Sequence, residues 1–261
     1  MKLLIKQILR EGLLTEALPD VDSDVNLLYD KFFKDDVDTI TTTGSVDKNM
    51  FDSAKVDTSI LTSDICVEAH SKNPCDILIN HSSNYYNPGR SIISLGISQG
   101  ALEFLKNVNI GTGVEGVYRL DLALGSLDRR SKVRFENEFK EHKIKGSINH
   151  ELLHWLDDTL HNKSISKFLS RASEVGKDVY LKGKDVNTSK MEIQAQMGNI
   201  KQLKNKFSDM WDYLSFNDLI GMSVSLSVIY DSLRGRDRDE WVRNLKTRMY
   251  REGLLGKKMY N

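Results

Sequence analysis

The chain reads as an α+β protein, and two features of its hydrophobic pattern carry that reading. Between residues 64 and 98 short apolar runs alternate with turn chemistry, whereas from about residue 130 onward apolar residues recur at three- and four-residue spacing. Strands that precede a run of helices, instead of alternating with them, predict α+β segregation and not a doubly wound α/β sheet. The chain of 261 residues has room for one sizeable domain with appendages, or for two small domains. The pattern divides it into an N-terminal helical segment and linker (1–60), a central domain (61–233) and a C-terminal helical extension (234–261).

Taken in order, residues 1–14 place Leu3, Leu4, Ile8, Leu13 and Leu14 at helical spacing. Lys6, Arg10 and Glu11 interrupt any uncharged run of the kind a signal peptide needs, so an amphipathic docking helix is expected. No segment approaches the ~18 apolar residues of a membrane span. Residues 22–35 predict a second short helix, with Ser23 or Asp24 as candidate N-cap. The Thr-, Asp- and Ser-rich stretch 36–60 shows no sustained period and is the linker candidate, with room for one strand.

The β-like runs are Ile65-Cys66-Val67, Ile77-Leu78-Ile79 and Ser91 to Ile97, separated by Asn73-Pro74 and Asn87-Pro88-Gly89. Gln99 to Lys106 suggests a short helix, Gly111-Thr112-Gly113 a connection, and Val117 to Leu124 a further strand. Segments 134–161, 163–174, 189–206, 208–233 and 238–250 read as helices.

Charge excludes some functions. Lys+Arg and Asp+Glu are both 37, so there is no general attraction to nucleic acid or anionic lipid. The basic residues between Arg234 and Lys258 are interleaved with Asp237, Asp239, Glu240 and Glu252, the pattern of a solvated helix. Cys66 and Cys75 stand nine apart without a second pair, which rules out a CxxC metal site and favours two reduced thiols.

Chemistry concentrates in residues 150–154, His-Glu-Leu-Leu-His. Histidines four apart on a helix project side by side and can share one Zn²⁺. Glu151 lies about 100° around the helix, placed to act as a base on zinc-activated water without taking a coordination position. His150, His154, Asp157 and His161 share one sector, while Leu152, Leu153, Trp155, Leu156 and Leu160 fill the opposite one.

A catalytic zinc site takes three protein ligands and keeps one position open. A metzincin would carry Gly at 157 and His at 160; this chain has Asp157 and Leu160, and His161 is one residue late. The third ligand is therefore sought as a Glu on a later helix. Glu174 precedes Gly176-Lys177-Asp178, which reads as a helix end. Glu192 follows the capping residues Asn187-Thr188-Ser189, and small Ala195 one turn on lets its helix approach the motif helix, so Glu192 is preferred.

With His150 to Asp157 as one element and Asn187-Thr188-Ser189-Lys190-Met191-Glu192-Ile193-Gln194-Ala195 as the other, the chain resembles gluzincin-like zinc peptidases, especially short ones of large tailed bacteriophages. The match covers roughly 50 residues around the site; the Pro that the family sets before the Glu is absent. The resemblance implies a zincin-like domain with His150, His154 and Glu192 as zinc ligands, Glu151 as base, and Asp157 orienting a ligand histidine. It also implies a peptide or protein substrate, paired with a sheet-edge strand for which Ser91 to Ser98 is the candidate. Tyr180, His161 and His81 are candidates for stabilising the oxyanion. Leu9-Arg10-Glu11 and Leu14-Thr15-Glu16 resemble Leu-x-Glu sites trimmed during phage head maturation, which would make phage structural proteins partners and the host cytoplasm or virion the location. Two rival readings keep the same helix: a zinc amidohydrolase on a non-peptide amide, and a catalytically silent virion or adaptor protein.

Overall fold

The computed structural model describes residues 18–43, 50–80, 84–97, 140–160 and 190–260, with a few isolated positions between 101 and 126. α1 (Asp22–Phe32) carries Asp22 and Asp24 in its first turn and Lys31 in its last, charges that complement the helix dipole. Its N-cap is Val21, without a side-chain cap, so neither Ser23 nor Asp24 plays the expected capping part. Asp24 is instead fully buried.

α2 (Lys34–Thr43) occupies part of the expected linker. Val37 and Ile40 point inward at helical spacing, a pair too sparse to stand out in the sequence. The threonines fit a helix because their hydroxyls bond one turn back: Thr39 to the Asp35 carbonyl at 2.7 Å, Thr41 to Val37 at 2.8 Å and Thr42 to Asp38 at 2.6 Å.

β1 (Ala54–Asp57) and a 3₁₀ turn (Thr58–Ile60) lead to α3 (Asp64–Lys72). The run Ile65-Cys66-Val67, read as strand-like, is thus helical. Ser63 caps it through the Cys66 amide, and burying Cys66 with Ala69 leaves Val67 outside. Three apolar letters cannot separate the two periods; the cap decides.

β2 (Asp76–Asn80), β3 (Tyr85–Asn87) and β4 (Ile92–Gly96) complete a mixed sheet in the order β1-β2-β4-β3. β2 runs parallel to β4 and antiparallel to β1, and β3 closes antiparallel on β4. The strand expected at the sheet edge, Ser91 to Ser98, is therefore interior: β4 is paired on both sides, and among the described residues β1 and β3 are the outer strands. Tyr86, Ile93 and Ile77 stand opposite one another across three strands and so share a face.

α4 (Glu141–Leu160) lies on that face with Ile148, Leu152, Trp155 and Leu156 turned inward. The Trp155 indole donates to the Asn73 carbonyl at 3.1 Å, fixing the helix against the end of α3. α5 (Lys190–Lys206) packs on α4's other side. Beyond it come a 3₁₀ turn (Ser208–Tyr213), α6 (Phe216–Met222), α7 (Val224–Ser232), α8 (Gly235–Arg251) and a closing 3₁₀ turn (Lys257–Tyr260). The single helix expected over 208–233 is broken at Ser215, which forms a capping box with Asp218, and at Ser223, which caps α7.

The α+β class is as expected, with a small mixed sheet and a helical C-terminal half. Two cores form. One joins α1, α2, α3, the sheet and α4; the other joins the outer face of α5 to α6, α7 and α8 through Met197, Ile200, Leu226, Trp241 and Leu245. Val25 and Leu28 share a core with Ile77, and Trp241 shares one with Ile200. Cys66 and Cys75 are buried free thiols, and burial pushes each up to about 12. The strand expected at Val117 to Leu124 lies mostly outside the described residues, though Leu122 and Ala123 are helical. The docking helix expected at 1–14 lies outside them altogether.

Asp24 ties α1 to the α3 cap. It accepts from the Thr62 amide at 2.6 Å, from the Ser63 amide at 3.3 Å and from the Ser63 hydroxyl. Burial raises its pKa, but these bonds outweigh burial and hold it below the ordinary value. Asp24→Ala is expected to destabilise the fold by about 2–3 kcal/mol, the scale of charge-assisted bonds, measured by urea unfolding. Because the folded pKa is depressed, this contribution is complete above the unfolded value of about 3.9 and is lost as pH falls through the folded one. The variant's deficit should therefore shrink in acid.

Candidate metal centre

His150 and His154 stand one turn apart on α4, and their Nε2 atoms lie 3.1 Å from each other. The first turn of α5 brings Glu192 to them: Oε1 is 3.6 Å from His150 Nε2 and Oε2 is 3.5 Å from His154 Nε2. A tetrahedral ion with bonds of 2.0–2.1 Å would set its donor atoms about 3.3 Å apart, and the observed separations of 3.1–3.6 Å bracket that value. The donors are two imidazole nitrogens and an acceptor-only carboxylate, a set that suits a metal ion. Among the described residues this is the group of three or more His, Cys, Asp or Glu side chains that could hold one.

The helices meet this closely because each offers a glycine where the other offers an asparagine. A Cβ on Gly198 would stand 2.4 Å from Asn149 Oδ1 and 3.1 Å from Leu153 Cδ1. A Cβ on Gly146 would stand 2.8 Å from Asn199 Oδ1. Ala195, also on the contact face, is fully buried, in line with its expected spacing role.

Around these three side chains lies a polar layer. The Ala195 carbonyl accepts from the His150 imidazole, and Asn199 Nδ2 is 3.4 Å from its Nδ1. Gln196 Nε2 donates to Glu192 Oε1 at 2.9 Å. Glu151, 6% exposed, receives the backbone N–H of Tyr86 on edge strand β3. The Tyr86 hydroxyl donates to buried Asp158 at 2.8 Å, so β3 is held to α4 at two points.

The charges are strongly shifted. Burial pushes His150 down to about 4, keeping it neutral and able to bind metal. Burial pushes Glu151 up to about 7, opposed by His154 and aided by Glu192. Burial alone would raise Glu192, but His150, His154 and Gln196 hold it at about 2. His154 is raised: burial lowers it, and the bond to Glu192 with the charges of Glu151, Glu192 and Asp157 outweighs burial.

His150, Glu151, His154 and Glu192 are thus brought together. Asp157 acts on His154 through its charge, and His154 Nδ1 has no hydrogen-bond partner among the described residues. Glu174, Tyr180, His161 and His81 lie outside the described residues. Sequence reasoning missed Gln196, Asn199, Tyr86, Asp158 and the paired glycines. A Glu with a Gln four residues on was a readable signal for one of them; the others depend on which helices touch.

No family model, curated protein or solved structure matches the chain.

Gly198→Ala is expected to cost about 1–3 kcal/mol by overpacking, despite the better helix propensity of Ala, and to weaken metal binding by moving Glu192 away. Adding Asn149→Ala, which removes the clashing amide, should recover the loss; urea unfolding and zinc titration read both effects. Ligand nitrogens must be unprotonated to bind metal. Affinity for added zinc should therefore fall as pH drops through the raised pKa of His154 and fall again near that of His150, measured by chelator competition across the acid range.

Proposed function

We propose that the chain is a zinc-dependent metallopeptidase with His150, His154 and Glu192 as ligands and Glu151 as general base. The observation that carries this is the convergence of two imidazoles and a carboxylate at ligand spacing, with a second, buried carboxylate beside them. Zinc bound there would supply Lewis acidity and bring the pKa of water toward neutrality.

The chain's own groups do the rest. Glu151 is the acid–base group: its carboxylate takes a proton from the attacking water and returns it to the leaving amine. A base needs a proton affinity near the working pH, and burial moves Glu151 in that direction. Its orientation is fixed by the Tyr86 N–H, so the sheet edge positions the base while α4 and α5 hold the ligands. Glu151 has no place among the three ligand donors and is not needed to hold a metal, which favours a catalytic over a purely structural centre.

Glu151→Gln should leave zinc stoichiometry intact and reduce peptide turnover by about 10²–10⁴-fold, the scale of general acid–base catalysis. His154→Ala should lose the metal. Elemental analysis with a peptide-library cleavage assay separates the two. Stoichiometric zinc in the wild type without any turnover would instead favour a retained, catalytically silent site.

A further inference from the structure

We infer that Gln196 is a positioning residue that holds the Glu192 carboxylate in place against His150 and His154. The inference rests on the metal-centre reading above.

Gln196 is 1% exposed and reaches Glu192 from one turn along α5, its Nε2 donating to Oε1 at 2.9 Å. The orientation of its amide is forced. An ionised carboxylate accepts only, so the amide must show it an N–H, not its oxygen. The amide oxygen then faces two donors, Ser225 Oγ at 3.1 Å and Asn199 Nδ2 at 3.1 Å. Ser225 in turn lies 3.1 Å from the hydroxyl of Ser223, the residue that caps α7. Gln196 is therefore anchored by a neighbour on its own helix and by the start of another. It has little freedom to follow a carboxylate that rotates.

That rigidity has a consequence for the ligand. The amide holds Oε1 while that oxygen stands 3.6 Å from His150 Nε2 and Oε2 stands 3.5 Å from His154 Nε2, so one bond sets where both oxygens lie relative to the two imidazoles. Groups that hold ligands in this way commonly account for about 10–100-fold in metal affinity.

The test compares wild type with Gln196→Met, which keeps volume and loses the amide. Zinc affinity is read by chelator competition, coordination by the visible spectrum of the cobalt(II)-substituted protein, and folding by thermal unfolding of the metal-free form. The expected result is a folded variant with about 10–100-fold weaker zinc binding and a cobalt spectrum that differs from that of the wild type. Ser225→Ala, which removes one anchor of the amide, should shift both readouts in the same direction by less. It stands as the test if Gln196→Met does not fold. A folded Gln196→Met with wild-type affinity and spectrum overturns the inference and leaves the metal centre standing; so does an unchanged Ser225→Ala if that is the variant that folds. A wild-type protein that takes up neither ion overturns the metal centre itself.

Discussion

The crossing of α4 and α5 is the constraint on which the rest of the centre depends. Gly198 lies against Asn149 and Gly146 against Asn199, so at two points a side chain of one helix fills the space that a Cβ of the other would take. Close packing of this kind leaves no slack, because protein interiors transmit a displacement instead of absorbing it. Glu192 stands less than two turns from Gly198, and its distance from the histidines is set by how near the two backbones come.

Each helix has its own reason to stay where it is. α4 is pinned to the sheet by Leu152, Trp155 and Leu156, and α5 is built into the second core by Met197 and Ile200. The centre therefore sits at a seam between two hydrophobic cores. Ligands projecting from rigid helices, each backed by apolar packing, are held more firmly than loop residues would be. The arrangement also leaves polar atoms unsatisfied: Asn149 Oδ1 and His154 Nδ1 are buried without hydrogen-bond partners among the described residues. Natural folds tend to break their local rules at functional sites, and both atoms lie within the motif helix.

The sheet contributes to the same place from the other side. Its edge strand gives Glu151 a backbone donor at Tyr86, and the Tyr86–Asp158 bond prevents that strand from drifting. A residue of the motif helix outside the His150–His154–Glu192 group is thus positioned by a separate structural layer. The two can be disturbed independently.

The α+β class was legible because strand-like and helix-like periods occupy different parts of the chain. The motif helix was legible because the 3.6-residue repeat places His150 and His154 on one face and Leu152, Leu153 and Leu156 on another. Local chemistry misled where signals were short. Ile65-Cys66-Val67 suits either period, and Ser63 settles it as helix; the threonines of α2 hide a helix because they bond back to their own turn. Strand order was beyond reach, and with it the interior place of β4, because pairing depends on contacts between distant segments.

For the candidate centre, the sequence by itself determined the mutual geometry of His150, Glu151 and His154, since it follows from spacing within one helix. It offered Glu174 or Glu192 as the residue to join them and favoured the latter. Only the tertiary structure joined Glu192 to the pair and brought in Gln196, Asn199, Ser225 and Tyr86. The physical reason is one of range. Helical spacing fixes neighbours within a turn or two, whereas residues dozens of positions apart meet only once packing has decided which helix faces touch.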